Sequence, residues 1–199
     1  MQWLIKTTRF SRGILPHWEI EGGRYFVTVR CHDSLPLEAV ARLAEIHEAL
    51  KVIEPRSEQF SALQRRYFLT TEKYLHAGHG RPWLAHPIAA RTLVEELAAL
   101  RSAGVEARHF SIMPNHFHAL LASTSEGSIN LHDLLGVLKG RSSRRINLAL
   151  GRAGPLWQRE WFDRWMRNDA EWDKCADYIR QNPVKAGLVQ HWQDHPWTK

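Results

Sequence analysis

The chain has 199 residues, 44% of them hydrophobic and 24% charged, enough for one well-buried domain. Its formal net charge of +6 suits a polyanionic partner such as nucleic acid, and the lack of any apolar run near ~20 residues excludes a membrane span. Cys31 and Cys175 form no CxxC pair, which argues against a disulfide framework or a cysteine-ligated zinc, and the opening MQWLIKTTRF carries no signal-peptide core, so a cytoplasmic location is expected.

In chain order, YFVTVR (Tyr25 to Arg30) follows Gly22-Gly23 and is β-branched and aromatic, so it predicts a first strand. After Pro36, the residues Val40, Leu43, Ile46, Leu50 and Ile53 recur at helical steps. A second helical stretch aligns Phe60, Leu63, Tyr67, Thr71 and Tyr74 and breaks at GHGRP, residues 78–82. A third starts near Pro87, carries Leu93, Leu97 and Leu100, and ends around Gly104. Two apolar segments, His109 to Met113 and Phe117 to Ala122, flank Pro114-Asn115 and predict a β-hairpin.

From Leu131 to Leu150 the apolar residues share one helical face, while Arg141, Arg144, Arg145 and Arg152 line its flank. The aromatic-rich stretch from Trp157 to Met166 predicts a last strand. Asn168 with Glu171 marks a helix start, and Asn182-Pro183 its end. This order favours an α+β fold, an antiparallel β-sheet with helices on one face. It is close to a ferredoxin-like split βαβ with an enlarged helical first crossover. A single domain over residues 1–199 is expected, with a helical insertion at about 55–104.

Two motifs carry chemistry. In MPNHFHALLA, strand alternation puts His116 and His118 on one face about 6–7 Å apart and turns Phe117 the other way. The pair can close on one metal ion or stand as two hydrogen-bonded strand histidines. HExxH and HxHxD patterns are absent, so a third ligand would come from elsewhere. In ADYIRQNPVKAGLV, Tyr178 and Asn182 are four apart on a helix and share a surface. A half-buried tyrosine and a helix-ending asparagine would look the same.

Together MPNHFHALL and YIRQNPVKAGLV resemble the single-tyrosine HUH transposases of the IS200-like group, most closely the REP-associated tyrosine transposases. LPHWEIEGGRYFVTVR resembles that family's lead-in and first strand. LKGRSSRRIN and GPLWQREWFDRWMRN resemble its later helix and last strand. The resemblance runs from about residue 15 to 197, with Tyr74 to Pro87 the most individual part. It implies a nickase and strand transferase acting on single-stranded, hairpin-forming DNA. Carried over by position, it implies His116 and His118 as metal ligands with Asn182 as the third, and Tyr178 as the nucleophile, giving a 5′-phosphotyrosyl intermediate.

Mg²⁺ or Mn²⁺ is the expected ion: oxygen-only sites suit Mg²⁺, whereas a mixed nitrogen and oxygen set binds Mn²⁺ and later transition ions more readily. Lys139, Arg141, Arg144, Arg145, Arg159, Arg164, Arg167 and Lys185 are the expected DNA-binding cations, with Trp157 and Trp161 as candidates to stack on bases. Two other readings stand beside this one: a catalytically silent DNA-binding protein, and a nuclease or hydrolase whose metal activates water. A monomer is expected, a homodimer being the alternative, and DNA binding would place the protein at the nucleoid.

Overall fold

Strand pairing builds the frame of this computed structural model, which describes residues 7–12, 15–55, 57–124 and 129–199. The first six residues, part of the stretch read above for a signal peptide, lie outside that description. Four antiparallel strands form the main sheet: β3 (Arg24–Arg30), β4 (Val105–Met113), β5 (His116–Ser123) and β6 (Phe162–Trp165), ordered β4-β5-β3-β6. That is the split βαβ order expected from the sequence, with the first and third strands of the sheet adjacent at its centre. The α+β class and antiparallel pairing stand.

Ahead of the sheet, β1 (Thr7–Arg12) and β2 (Pro16–Ile20) form a separate antiparallel ribbon. The turn from β2 to β3 needs its glycines. Gly22 has φ +63°, and a Cβ on Gly23 would stand 2.5 Å from the Tyr25 hydroxyl, which accepts the Ile20 backbone N–H at 2.6 Å. The long crossover from β3 to β4 holds α1 (Leu37–Val52), α2 (Glu58–His76) and α3 (Pro87–Ala99). Ser57 caps α2 by accepting from the Phe60 N–H, and Pro87 sits in the first turn of α3. After the β4–β5 hairpin come α4 (Leu131–Ala149), then β6, then α5 (Asp169–Lys185), capped by Asn168.

Alternation along β5 assigns its two faces. Phe117, Ala119 and Leu121 join Tyr25, Val27 and Val29 in the larger core, closed by Leu93 and Leu97 of α3 and Leu135 and Leu138 of α4. Leu120 and Ala122 turn the other way with Phe26, meeting Trp172, Ala176 and Ile179 of α5 and Phe68 of α2. The expectation of helices on one face is therefore corrected. A second layer, α5 with α2, covers the opposite face.

Three boundaries also differ, each for a local reason. β4 begins at Val105 rather than His109, because a register shift between Ala107 and His109 breaks the alternation that a sequence pattern detects. The last strand contracts to four residues, with Trp157 keeping only an isolated bridge to Cys31. α5 runs through Pro183 to Lys185, closing on Ala186 N to Asn182 O (3.0 Å) and Leu188 N to Pro183 O (2.9 Å).

At the sheet's outer side, residues 197–199 lie along β4. Ile112 N donates to Trp197 O at 3.0 Å, and Lys199 N to Phe110 O at 2.9 Å. No helix among the described residues is long and apolar enough to cross a membrane.

Candidate metal and tyrosine site

The second face of β5 carries His116 and His118, 1% and 0% exposed, under the layer made by α2 and α5. Their Nε2 atoms are 3.1 Å apart. The Nδ1 atoms are each held from behind, as ligating histidines require: that of His118 lies 2.8 Å from Thr28 Oγ1 on the neighbouring strand, and that of His116 lies 2.7 Å from Asn115 Oδ1. The Asn115 amide is itself fixed, since Nδ2 donates to Leu75 O at 3.2 Å and to His79 O at 3.0 Å. Its Oδ1 is therefore an acceptor, His116 Nδ1 carries the proton, and His116 Nε2 presents a lone pair to the site. Burial, with the nearby His118, pushes the His116 pKa down to about 3, so the ring is neutral.

From α5, Tyr178 enters edge-on to His118, with ring centroids 5.5 Å apart. Phe26 and Phe68 flank it at 6.0 and 5.6 Å, and Lys185 Nζ lies 4.7 Å from the ring centre. Asn182, one turn further along α5, is fully buried, with its Oδ1 3.2 Å from His76 Nε2 and its Nδ2 without a partner. The four residues singled out in the sequence thus belong to one cluster of contacting side chains.

Sequence reasoning missed Glu72 of α2. It is 4% exposed and accepts a hydrogen bond from the Tyr178 hydroxyl. The same oxygen, Oε2, is 3.3 Å from His118 Nε2 and 3.7 Å from His76 Nε2. Burial opposes its ionisation, but the imidazoles of His118 and His116 and the Tyr178 hydroxyl outweigh that and hold the Glu72 pKa down to about 2. Burial and this carboxylate's charge push the Tyr178 pKa far above a phenol's ordinary value. A signal was present: Glu72 stands four residues after Phe68 and three before Leu75, on the buried side of α2, where an unpaired acid is out of place.

The donor set fits a divalent ion. Glu72, His116 and His118 offer ligand atoms that all lie within 4.8 Å of one another, and Glu72 Oε1 is buried with no hydrogen-bond partner.

Residues 86–182 match the family model described as "Transposase IS200 like". Over that stretch the chain is similar to these transposases. It is 30% identical over 96 residues to a Haemophilus influenzae protein named "Putative REP-associated tyrosine transposase", an alignment covering 44% of this chain and 54% of that one, so the chain spans about half the length of this relative. It also shares the fold of a REP-associated tyrosine transposase solved bound to a REP hairpin, with a TM-score of 0.53 and 19% identity over 96% of this chain and 81% of that one.

Within this transposase-like framework the cations named from the sequence divide. Arg141 and Arg145 of α4 clamp Glu96 of α3, at 3.0 and 2.7 Å, and Arg145 also pairs with Glu95. Arg164 pairs with Glu171 at 2.9 Å. Lys139 donates to Arg159 O and lies over Trp161, Arg167 lies over Trp165, and Arg144 and Arg159 are exposed. Trp157 and Trp161 are unavailable for stacking on bases. Both are buried, and their indole N–H groups donate to Ser142 Oγ and Asp163 Oδ1, each at 2.9 Å.

Proposed function

We propose that the protein is a single-strand DNA endonuclease and strand transferase acting on hairpin-forming DNA, with Tyr178 as its nucleophile. One observation carries this reading: a phenol from the C-terminal helix is hydrogen-bonded to a carboxylate that itself touches the paired strand histidines. His116 and His118 would hold Mg²⁺ or Mn²⁺ through Nε2, with Asn182 as the third ligand that the resemblance implies. Bound there, the ion would supply positive charge beside a non-bridging phosphate oxygen.

The chain's own residues set up the nucleophile. Phe26, Phe68 and His118 surround the Tyr178 ring and restrict it to one approach. The hydroxyl keeps its proton in the resting arrangement, donated to Glu72, so it attacks as a phenol that loses the proton as the bond forms. The Tyr178 oxygen bonds to phosphorus, the bond to the 3′ oxygen breaks, and that oxygen leaves as a hydroxyl after gaining a proton. A 3′-hydroxyl can reverse the step, so the phosphodiester is conserved without a nucleotide cofactor.

His116, His118, Tyr178, Asn182 and Glu72 come from one chain, which supports a monomer as the working unit. Lys185 beside the tyrosine, with exposed Arg144 and Arg159, offers charge for the phosphate backbone. The test is incubation with an end-labelled single-stranded hairpin oligonucleotide and Mn²⁺, read on a denaturing gel. A covalent protein–DNA adduct is expected from the wild type and none from Tyr178→Phe. Cleavage without adduct that survives Tyr178→Phe would instead establish a water-using nuclease.

A further inference from the structure

The helix α2 lies outside the stretch, residues 86–182, that matches the transposase family. Its inner face nevertheless delivers a carboxylate to the histidine pair. We infer that Glu72 is a protein ligand of the ion held by His116 and His118, so that the segment preceding the family-like region completes the metal site. This rests on the metal-dependent reading above.

The argument starts from the half of the carboxylate that is left over. Glutamate is rarely buried to this degree unless it is paired or coordinates a cation. Glu72 Oε2 has the Tyr178 hydroxyl, His118 and His76 around it, whereas Oε1 is buried and has no hydrogen-bond partner. A purely structural ion pair would leave that oxygen's desolvation uncompensated. A cation between Glu72 and the two Nε2 atoms compensates it, and all three ligand atoms already lie within 4.8 Å of one another.

The competing oxygen is that of Asn182, which faces His76 at 3.2 Å. It is a neutral amide and attracts a divalent cation less than a carboxylate does. Two imidazoles with one carboxylate form a set that suits first-row divalent metals such as Mn²⁺.

Placement of the carboxylate is also built in. The Asn115 side chain, which orients His116, ties the end of α2 to the β4–β5 turn by donating to Leu75 O and to His79 O. One asparagine thereby sets both the strand histidine and the helix that brings Glu72. A loose surface helix would show no such tie to the turn preceding the histidine motif.

The test is isothermal titration of Mn²⁺ alone into the full-length chain, without DNA, for the wild type, Glu72→Gln, Asn182→Ala and His118→Ala. Glu72→Gln keeps an acceptor for the Tyr178 hydroxyl and removes only the charge. It is expected to weaken Mn²⁺ binding tenfold or more, Asn182→Ala to weaken it less, and His118→Ala to abolish it. A smaller loss in Glu72→Gln while His118→Ala still abolishes binding overturns the inference, as does a larger loss in Asn182→Ala than in Glu72→Gln. Binding that is absent in the wild type, or unchanged in His118→Ala, overturns the metal reading itself and the inference with it. Circular dichroism melts accompany each titration. If Glu72→Gln does not fold, Glu72→Asp replaces it, with the same tenfold loss expected from a retracted carboxylate and an unchanged affinity overturning the assignment.

Discussion

Replacing Asn115 separates the orientation of the metal-facing histidine from the stability of the fold around it. Its side chain makes three hydrogen bonds, two of them buried: one accepted from His116 Nδ1–H, one donated to Leu75 O, and a part-buried one donated to His79 O. At roughly 1 kcal/mol net for each, Asn115→Ala is expected to lower unfolding free energy by about 3 kcal/mol. Loss of the group that fixes a ligating imidazole's tautomer typically costs 10–100-fold in metal affinity, which is about 1.4–2.7 kcal/mol.

Asn115→Asp divides these effects. It keeps an acceptor for His116 Nδ1–H and adds negative charge near the site, but loses both donors to α2 and the loop after it. Its unfolding free energy should fall while its Mn²⁺ affinity holds or rises. Urea denaturation and Mn²⁺ titration of both variants measure the two quantities. An Asn115→Ala protein that is folded and binds Mn²⁺ as tightly as the wild type would refute the tautomer argument.

The second expectation concerns pH. Although burial opposes its charge, His17 is held by the carboxylates of Asp163 and Glu160, which raise its pKa from 6.5 to about 9. A raised histidine pKa stabilises the fold fully below pH 6.5 and loses that contribution as pH climbs through about 9. At 1.36 kcal/mol per pH unit the effect is roughly 3 kcal/mol. The difference in stability between wild type and His17→Gln should therefore shrink between pH 6.5 and 9.5 in urea titrations; a constant or growing difference would contradict it. The third compares two glycines. A Cβ at Gly80, φ +78°, would stand 2.3 Å from Asp33 O, whereas one at Gly78, φ +73°, meets nothing within 4 Å. Gly80→Ala should cost more than ~2 kcal/mol and Gly78→Ala about 1 kcal/mol, and equal melting temperatures for the two would remove the steric argument.

What a sequence shows depends on whether the signal is local. The HFH alternation, the four-residue step from Tyr178 to Asn182, the Pro87 start of α3 and the Asn168 cap of α5 all use short spacings, and each is found where the pattern put it. Glu72 escaped because its significance is not local. It is 44 and 46 residues from the histidines it meets, on a helix whose period shows only that one side is buried. The tryptophans misled for a related reason: composition near basic residues cannot separate an indole donating to Ser142 from one offered to a base. Arg141 and Arg145 likewise looked like a DNA-facing flank until Glu95 and Glu96 arrived opposite them from α3. The β1–β2 ribbon was hidden by Pro16 and by polar residues such as His17, whose partners Asp163 and Glu160 come from a distant part of the chain.

The short stretch at 197–199 running along β4 has a bearing on colloidal behaviour. By occupying the Phe110 and Ile112 backbone groups, it removes the open ladder onto which another molecule's strand could dock and propagate. Clipping those three residues would bare that ladder and favour concentration-dependent clumping, even with every catalytic side chain untouched.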